Sequence, residues 1–415
     1  MLSRSRRCLK VLPLAFLVLF STLTLVALTP ARADTILTSG RVWGSGIAVD
    51  SAGNVAVIGS TSAFGNGQSL AVLLKYNPSG KLLCFRTFGG SSPLDTLGYG
   101  IAFDVSNNMY VTGPTQTFGG EDFDVFLQKY DASCNLLYTM QWGGAGNDIP
   151  RGIAVDSQDN VYIAGYTDSF GAGLFDVFLL KYASAGEFQF SRIWGGPKND
   201  YASGVAVDGV GNVYVGGSTG SFGASESDVF LLKYDSSGTQ LFEETWGGPQ
   251  NDYSSGIAVD SAGDVYLTGS TYSEGVTSGI ASVFLLKYDP SGSLLFQKTR
   301  GGTQNDYGSG VAVDSAGNVY VTGYTYSSSA VLGVPRVFLL KYDSSGNLLF
   351  ENTWGGLRGD YGYGVAVDGS GNTYVSGYTY SFGPNSQGAN VFLLKYDPSG
   401  NLLFQKTYGG GIPDP

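Results

Sequence analysis

Five segments of the form Gly-Gly-x-x-Asn-Asp, or close to it, place a carboxylate ahead of a short strand-forming stretch, at Asp148, Asp200, Asp252, Asp306 and Asp360. In four of them a tyrosine follows at once: Tyr201, Tyr253, Tyr307 and Tyr361. A longer variant of the segment carries Asp95. A carboxylate beside a phenol can hydrogen-bond the hydroxyls of a ligand and stack an aromatic face on it. Paired carboxylates could also act as acid and base. The chain has no histidine, which removes His-based triads, His general bases and His-ligated zinc. No cluster of Glu, Arg or Lys interrupts the regularity, so no catalytic residue and no metal site is assigned. These nine Asp and Tyr residues are the candidate ligand-binding set, and no cofactor is expected.

The elements that must position them repeat. The phrase G-[IV]-A-[VF]-D opens at Gly46, Gly100, Gly152, Gly204, Gly256, Gly310 and Gly364, a spacing of 52 or 54 residues. A second phrase ends at Lys75, Lys129, Lys181, Lys233, Lys287, Lys341 and Lys395. Periods of this length belong to solenoids, propellers or arrays. Each repeat holds four short runs rich in Val, Phe, Tyr and Leu, and no helical period appears. Two of the three connections are D-x-x-G-N turns, where Asp caps the turn and Gly takes a positive φ. Cys134 stands at such a glycine position, so local strain is expected there.

Side-chain size separates propeller from solenoid. The first run carries Ala48, Ala102, Ala154, Ala206, Ala258, Ala312 and Ala366; the second usually has Tyr; the third and fourth have Phe and Trp. Small-to-large across a repeat is what wedges around an axis require. The expected fold is therefore all-β, a seven-bladed β-propeller with four antiparallel strands per blade. The repeated Lys and Asp residues are expected to pair at blade edges and cap turns, not to line a charged channel. The D-x-x-G-N turns have too few oxygen ligands for a calcium loop.

The phrases GVAVDSAGNVYVTGYT, VFLLKYDSSGNLLF and TWGGxxNDYG resemble the bacterial seven-bladed propeller repeat SBBP, and the first is also similar to NHL repeats. The resemblance covers residues 46–410. It implies an exported propeller and carries no family catalytic residues.

Residues 1–33 read as a signal peptide, with Arg4, Arg6, Arg7 and Lys10 before an apolar stretch and Ala31-Arg32-Ala33 as the cleavage site. An uncleaved anchor is the alternative. Residues 34–45 are expected to add a closure strand or clasp, and 411–415 to form a tail. No later segment is long and apolar enough to span a bilayer. Without the leader, 18 basic residues face 34 acidic ones, a net of −16. That charge disfavours nucleic acid and anionic membranes as partners. The expected partner is an extracellular or cell-surface glycan or protein, met by a monomer in the periplasm or outside the cell. Cys84 and Cys134 read as two small hydrophobes, with a disulfide as the alternative.

The Asn-Asp-Tyr segments and the loop between the second and third strands should emerge on one face. That loop varies: 16 positions separate Gly59 from Lys75, and 18 separate Gly323 from Lys341. Variable loops on a regular scaffold commonly carry binding. The leading expectation is a non-catalytic binding or scaffold module. The alternatives are a secreted lyase or hydrolase using Asp and Tyr on this face, and a calcium-binding version of it. The blander expectation for the segment itself is structural, with Asn and Asp hydrogen-bonding a neighbouring blade and Tyr packing beneath.

Overall fold

A computed structural model describes residues 42–62, 69–89, 95–116, 122–224, 226–274, 277, 279–328, 332–384, 388–409 and 412–413. All lie in one compact unit, Leu37–Pro415. The expected signal peptide and most of segment 34–45 lie outside the described residues.

Seven antiparallel sheets span residues 42–88, 100–142, 148–194, 200–246, 252–300, 306–354 and 360–409. Strand order within each sheet follows the chain, giving seven four-stranded blades. The last blade gains a two-residue fifth strand, Ile412–Pro413. Among the described residues there is no helix.

Blade 4 shows why the sequence folds this way. Its strands are Asp200–Val207, Val213–Thr219, Asp228–Tyr234 and Gln240–Trp246. Ala206, Tyr214, Lys233 and Phe242 stand in one cross-strand row, small side chain innermost. The second and third strands are buried along their whole length, while the outer strand is mostly exposed. The core lies between blades: one cluster joins Val177 and Leu179 of blade 3 to Val213, Val215 and Phe230 of blade 4. Another joins Val55 and Val72 of blade 1 to Tyr374 and Val391 of blade 7, so the ring closes by packing.

The turns behave as their chemistry demands. Asp208 Oδ1 accepts from the backbone N–H of Val210 and of Asn212, and Oδ2 accepts from the Asn212 side chain and from the Tyr214 hydroxyl. Where glycine is replaced, Asn107, Asp159 and Cys134 take up the left-handed conformation, at φ 62°, 62° and 65°. Cys134 is also disulfide-bonded to Cys84, which corrects the expectation of two unpaired thiols. The outer strand of blade 1 lies against the last turn of blade 2, where Arg86 Nε also donates to the Cys134 carbonyl at 3.1 Å.

The repeated lysines tie blade to blade. Each donates its Nζ to a carbonyl in the last turn of the next blade: Lys181 to Ser236 at 2.7 Å, Lys233 to Pro290 at 2.7 Å, Lys341 to Pro398 at 2.9 Å. Lys75 and Lys129 also pair with the turn carboxylates of Asp50 and Asp104, at 3.3 and 3.5 Å. Each of these ammonium groups is engaged at a seam, as the edge-pairing expectation required.

Of segment 34–45, the described residues 42–45 belong to blade 1. Val42–Val49 is simply the inner strand of blade 1, pairing Val42 with Thr61 at the place where other blades pair Asp with Thr. Every blade is thus one continuous stretch of chain.

Candidate functional site

The register sorts the connections onto two faces. Inner strands begin, second strands end and third strands begin at one edge of the blade: Asp200 pairs with Thr219, and Thr219 with Asp228. The variable loops and the Gly-Gly turns sit at that edge, the D-x-x-G-N turns at the other. The Asn-Asp-Tyr residues are therefore the first turns of the inner strands themselves, on the loop-rich face.

The five aspartates do not present their carboxylates to that face. Asp148, Asp200, Asp252 and Asp360 are 0% exposed and Asp306 is 4% exposed. Asp200 Oδ2 accepts from the Gly196 N–H at 2.8 Å and the Ser221 hydroxyl at 2.7 Å, and Oδ1 accepts from the Thr219 hydroxyl at 2.5 Å. Asp148 takes the Gly144 N–H and Ser169 hydroxyl, Asp252 the Gly248 N–H and Ser273 hydroxyl, and Asp360 the Gly356 N–H and Ser381 hydroxyl. Asp306 takes the hydroxyls of Thr325 and Ser327. Each carboxylate latches the Gly-Gly turn of the preceding blade, the end of its own second strand, or both. Asp95 is not a member of the set. It accepts from the Ser69 N–H at 2.7 Å, as Asn199 accepts from Phe175, and Thr96 takes the Asp position, bridged to Thr115.

The tyrosines do reach the surface. Tyr201 is 37% exposed and Tyr253 42%. Tyr253 lines an open cleft of about 570 Å³ with Glu226, Pro249, Gln250, Asn251 and Tyr272. Tyr307 and Tyr361 are half-buried because blades 6 and 7 add more rings. Tyr307 packs on Tyr324 at 5.1 Å between centroids, Tyr324 on Tyr361 at 5.0 Å, Tyr361 on Tyr378 at 4.8 Å. Tyr326, Tyr380 and Tyr363 extend the run at 6.2, 5.7 and 5.6 Å. Such separations suit edge and tilted ring contacts. Burial, reinforced by neighbouring phenols, pushes the hydroxyls of Tyr307, Tyr361 and Tyr378 up, and that of Tyr324 up to about 12. These phenols stay protonated at neutral pH. They offer flat apolar faces and O–H donors, not bases.

A second feature was hidden in a single repeat position. In most inner strands one residue bulges out of the ladder, between Gly308 and Gly310 for example. The residue just before the repeat-opening glycine is Ser45, Tyr99, Arg151, Ser203, Ser255, Ser309 or Tyr363. Bulges re-aim a side chain. Comparing those seven positions would have exposed the three exceptions, one of them the only basic residue at this place. Arg151 stacks over Tyr99 at 5.0 Å and Tyr166 at 5.5 Å, and donates to the Tyr166 hydroxyl at 3.3 Å. Tyr166 continues into Tyr201 at 4.8 Å and Phe175 at 5.2 Å. Among the described residues no cluster of three or more His, Cys, Asp or Glu could hold a metal ion.

A family model described as "Beta-propeller repeat" (SBBP) matches residues 137–171, 189–223, 245–275, 301–329 and 354–383. An "uncharacterized WD repeat-containing protein" of Acanthamoeba polyphaga mimivirus is 23% identical over 419 residues, covering 70% of this chain and 30% of its own. The "Regulatory protein FlaEY" of Caulobacter vibrioides is 28% identical over 312 residues, covering 61% and 32%. The chain spans about a third of the length of these curated relatives. Sqt1 from Chaetomium thermophilum superposes with a TM-score of 0.51 at 13% identity, over 91% of this chain and 90% of that one. A puromycin hydrolase mutant complexed with PGG gives 0.55 at 12% identity, over 90% and 55%. At such identities the likeness is one of fold alone.

Proposed function

We propose that this chain, which is built of SBBP-type beta-propeller repeats, is an exported non-catalytic binding module that takes a carbohydrate on its loop-rich face. The observation that carries the reading is the continuous run of rings from Tyr307 to Tyr380 over blades 6 and 7. Flat phenol faces suit the C–H faces of a sugar, and protonated hydroxyls suit its oxygen atoms. The Cys84–Cys134 bridge supports a site of action in an oxidising compartment. The buried latching of the aspartates, and phenols held protonated, leave the acid–base reading without support on this face.

The experiment is titration of the protein with neutral and acidic oligosaccharides, together with short peptides. Blades 4 and 5 carry Ser218 and Ser270 where blades 6 and 7 carry Tyr324 and Tyr378. Tyr324→Ser with Tyr378→Ser is therefore compatible with the repeat. It should weaken saccharide binding about tenfold or more, on the order of 1.4 kcal/mol, at an unchanged fold. Ser237→Ala with Ser345→Ala on the opposite turns should leave binding unchanged. Binding of peptides but of no saccharide would assign the face to a protein partner instead.

A further inference from the structure

The inner strands give each blade one side chain that the ladder does not use. In blade 3 the pairing passes from Pro150, opposite Gly165, to Gly152, opposite Ala164, and skips Arg151. In blade 4 the residue is a serine that turns back on the fold: Ser203 donates its hydroxyl to the Gly216 carbonyl at 3.1 Å. Tyr363 joins the tyrosine run through Tyr378. Arg151 does neither. Its guanidinium is exposed, flanked by the rings of Tyr99 and Tyr166.

Among the described residues no carboxylate pairs with Arg151; the ion pairs found belong to Lys75, Lys129, Lys287 and Arg300. One N–H of the guanidinium is engaged, at the Tyr166 hydroxyl. A guanidinium has five such donors in a rigid fork that matches a carboxylate with two parallel bonds. The flanking rings hold the fork in place and shed water from its faces, which limits the side-chain entropy lost on binding. The arginine stands in a chain of formal net charge −11. A dense polyanion would be repelled by that field, whereas a single negative group can settle on one local cation.

We propose that Arg151, set between Tyr99 and Tyr166, is the receptor for a single carboxylate, and that the ligand of this face is an acidic saccharide of the uronic acid class. The inference rests on the carbohydrate reading above and adds the chemical class of the sugar. Tyr166, Phe175 and Tyr201 supply the aromatic surface next to the fork on which the neighbouring sugar ring can lie.

The test compares a disaccharide of glucuronate and glucose with its own methyl ester, by calorimetric titration at low salt. The acid should bind the wild-type protein about tenfold or more tighter than the ester, one strong pairing being worth roughly that factor. Arg151→Ser, which installs the residue of blades 1, 4, 5 and 6, should erase the preference, so that acid and ester bind with equal affinity. Arg151→Lys keeps the charge without the fork and should keep only part of it. Equal affinity for acid and ester, or an acid preference that survives Arg151→Ser, overturns the carboxylate receptor while leaving the tyrosine face in place. An Arg151-dependent preference shown by an aspartate-containing tetrapeptide, and not by the disaccharide, overturns the saccharide class. Failure of every saccharide to bind overturns the carbohydrate reading and this inference with it.

Discussion

Lys395 Nζ lies 2.9 Å from the carbonyl oxygen of Pro78, a hydrogen bond that spans 317 residues of chain and joins blade 7 to blade 1. The same bond joins blade 4 to blade 5 through Lys233 and Pro290, at 2.7 Å. The closing seam therefore uses the same device as an internal one.

Lys395→Met and Lys233→Met should each cost about 1–3 kcal/mol, because a buried charge-assisted donor is lost and a carbonyl left unpaired. The two costs should agree to within about 0.5 kcal/mol. Chemical denaturation of both variants measures this. A clearly larger loss for Lys395→Met would show that the ring opens first at its closing seam.

The disulfide joins residues 50 positions apart. Reduction should destabilise the protein by about 2–4 kcal/mol. Cys84→Ala with Cys134→Gly also loses the bridge. It returns glycine to a position at φ 65°, which should recover about 1 kcal/mol. The double variant should therefore melt between the oxidised and reduced proteins. A double variant that melts below the reduced protein would remove the backbone argument at Cys134.

Burial raises the carboxyls of Asp124, Asp148 and Asp176, and each has a second carboxylate as neighbour. A raised carboxyl contributes stability below its unfolded value, near 3.8, and loses it as pH rises through the folded value. At neutral pH the pair formed by Asp176 and Asp200 is thus a net burden. Blade 7 already carries Asn390 at this place. Asp176→Asn should raise the melting temperature at pH 7 by about 1–2 °C, small because the propeller is large, and the gain should shrink as pH falls towards 4. A lower melting temperature at pH 7, with calcium stabilising only the wild type, would mean that a cation bridges the pair.

Ala312 stands opposite Tyr320, which is fully buried, on the narrow side of the wedge. Ala312→Phe should destabilise by about 1–3 kcal/mol through overpacking. Thermal melting checks it; an unchanged melting temperature would contradict the size gradient as the reason for the alanine.

How much of this the sequence disclosed depends on whether the feature repeats. The alanine at the Ala206 place recurs in every blade, the tyrosine at the Tyr214 place in blades 2–7 and the phenylalanine at the Phe242 place in blades 3–7, so the size gradient could be read without knowing any contact. The Asp latch recurs too, but its burial could not be read. The same Gly-Gly-x-x-Asn-Asp string fits an exposed loop or the buried start of a strand, and only the register of Asp200 against Thr219 decides. The longer connection before Asp95 hides the frame, in which Thr96, one position on, takes the aspartate's place. The role of Arg151 is not legible in composition, because a bulge is a property of main-chain pairing. Cys84 and Cys134 occupy non-equivalent positions in their repeats. Their meeting follows from the way an outer strand leans on the next blade's last turn.

Because each blade is one uninterrupted segment and, among the described residues, no sheet is shared between the two ends of the propeller, the unit that folds is also the unit that can be copied. A duplication or deletion with the 52- or 54-residue period adds or removes a whole sheet, together with its lysine tie and its aspartate latch. New copies would arrive already fitted to both neighbours. They would then be free to diverge at the one bulged residue that the ladder skips and at the one loop whose length varies.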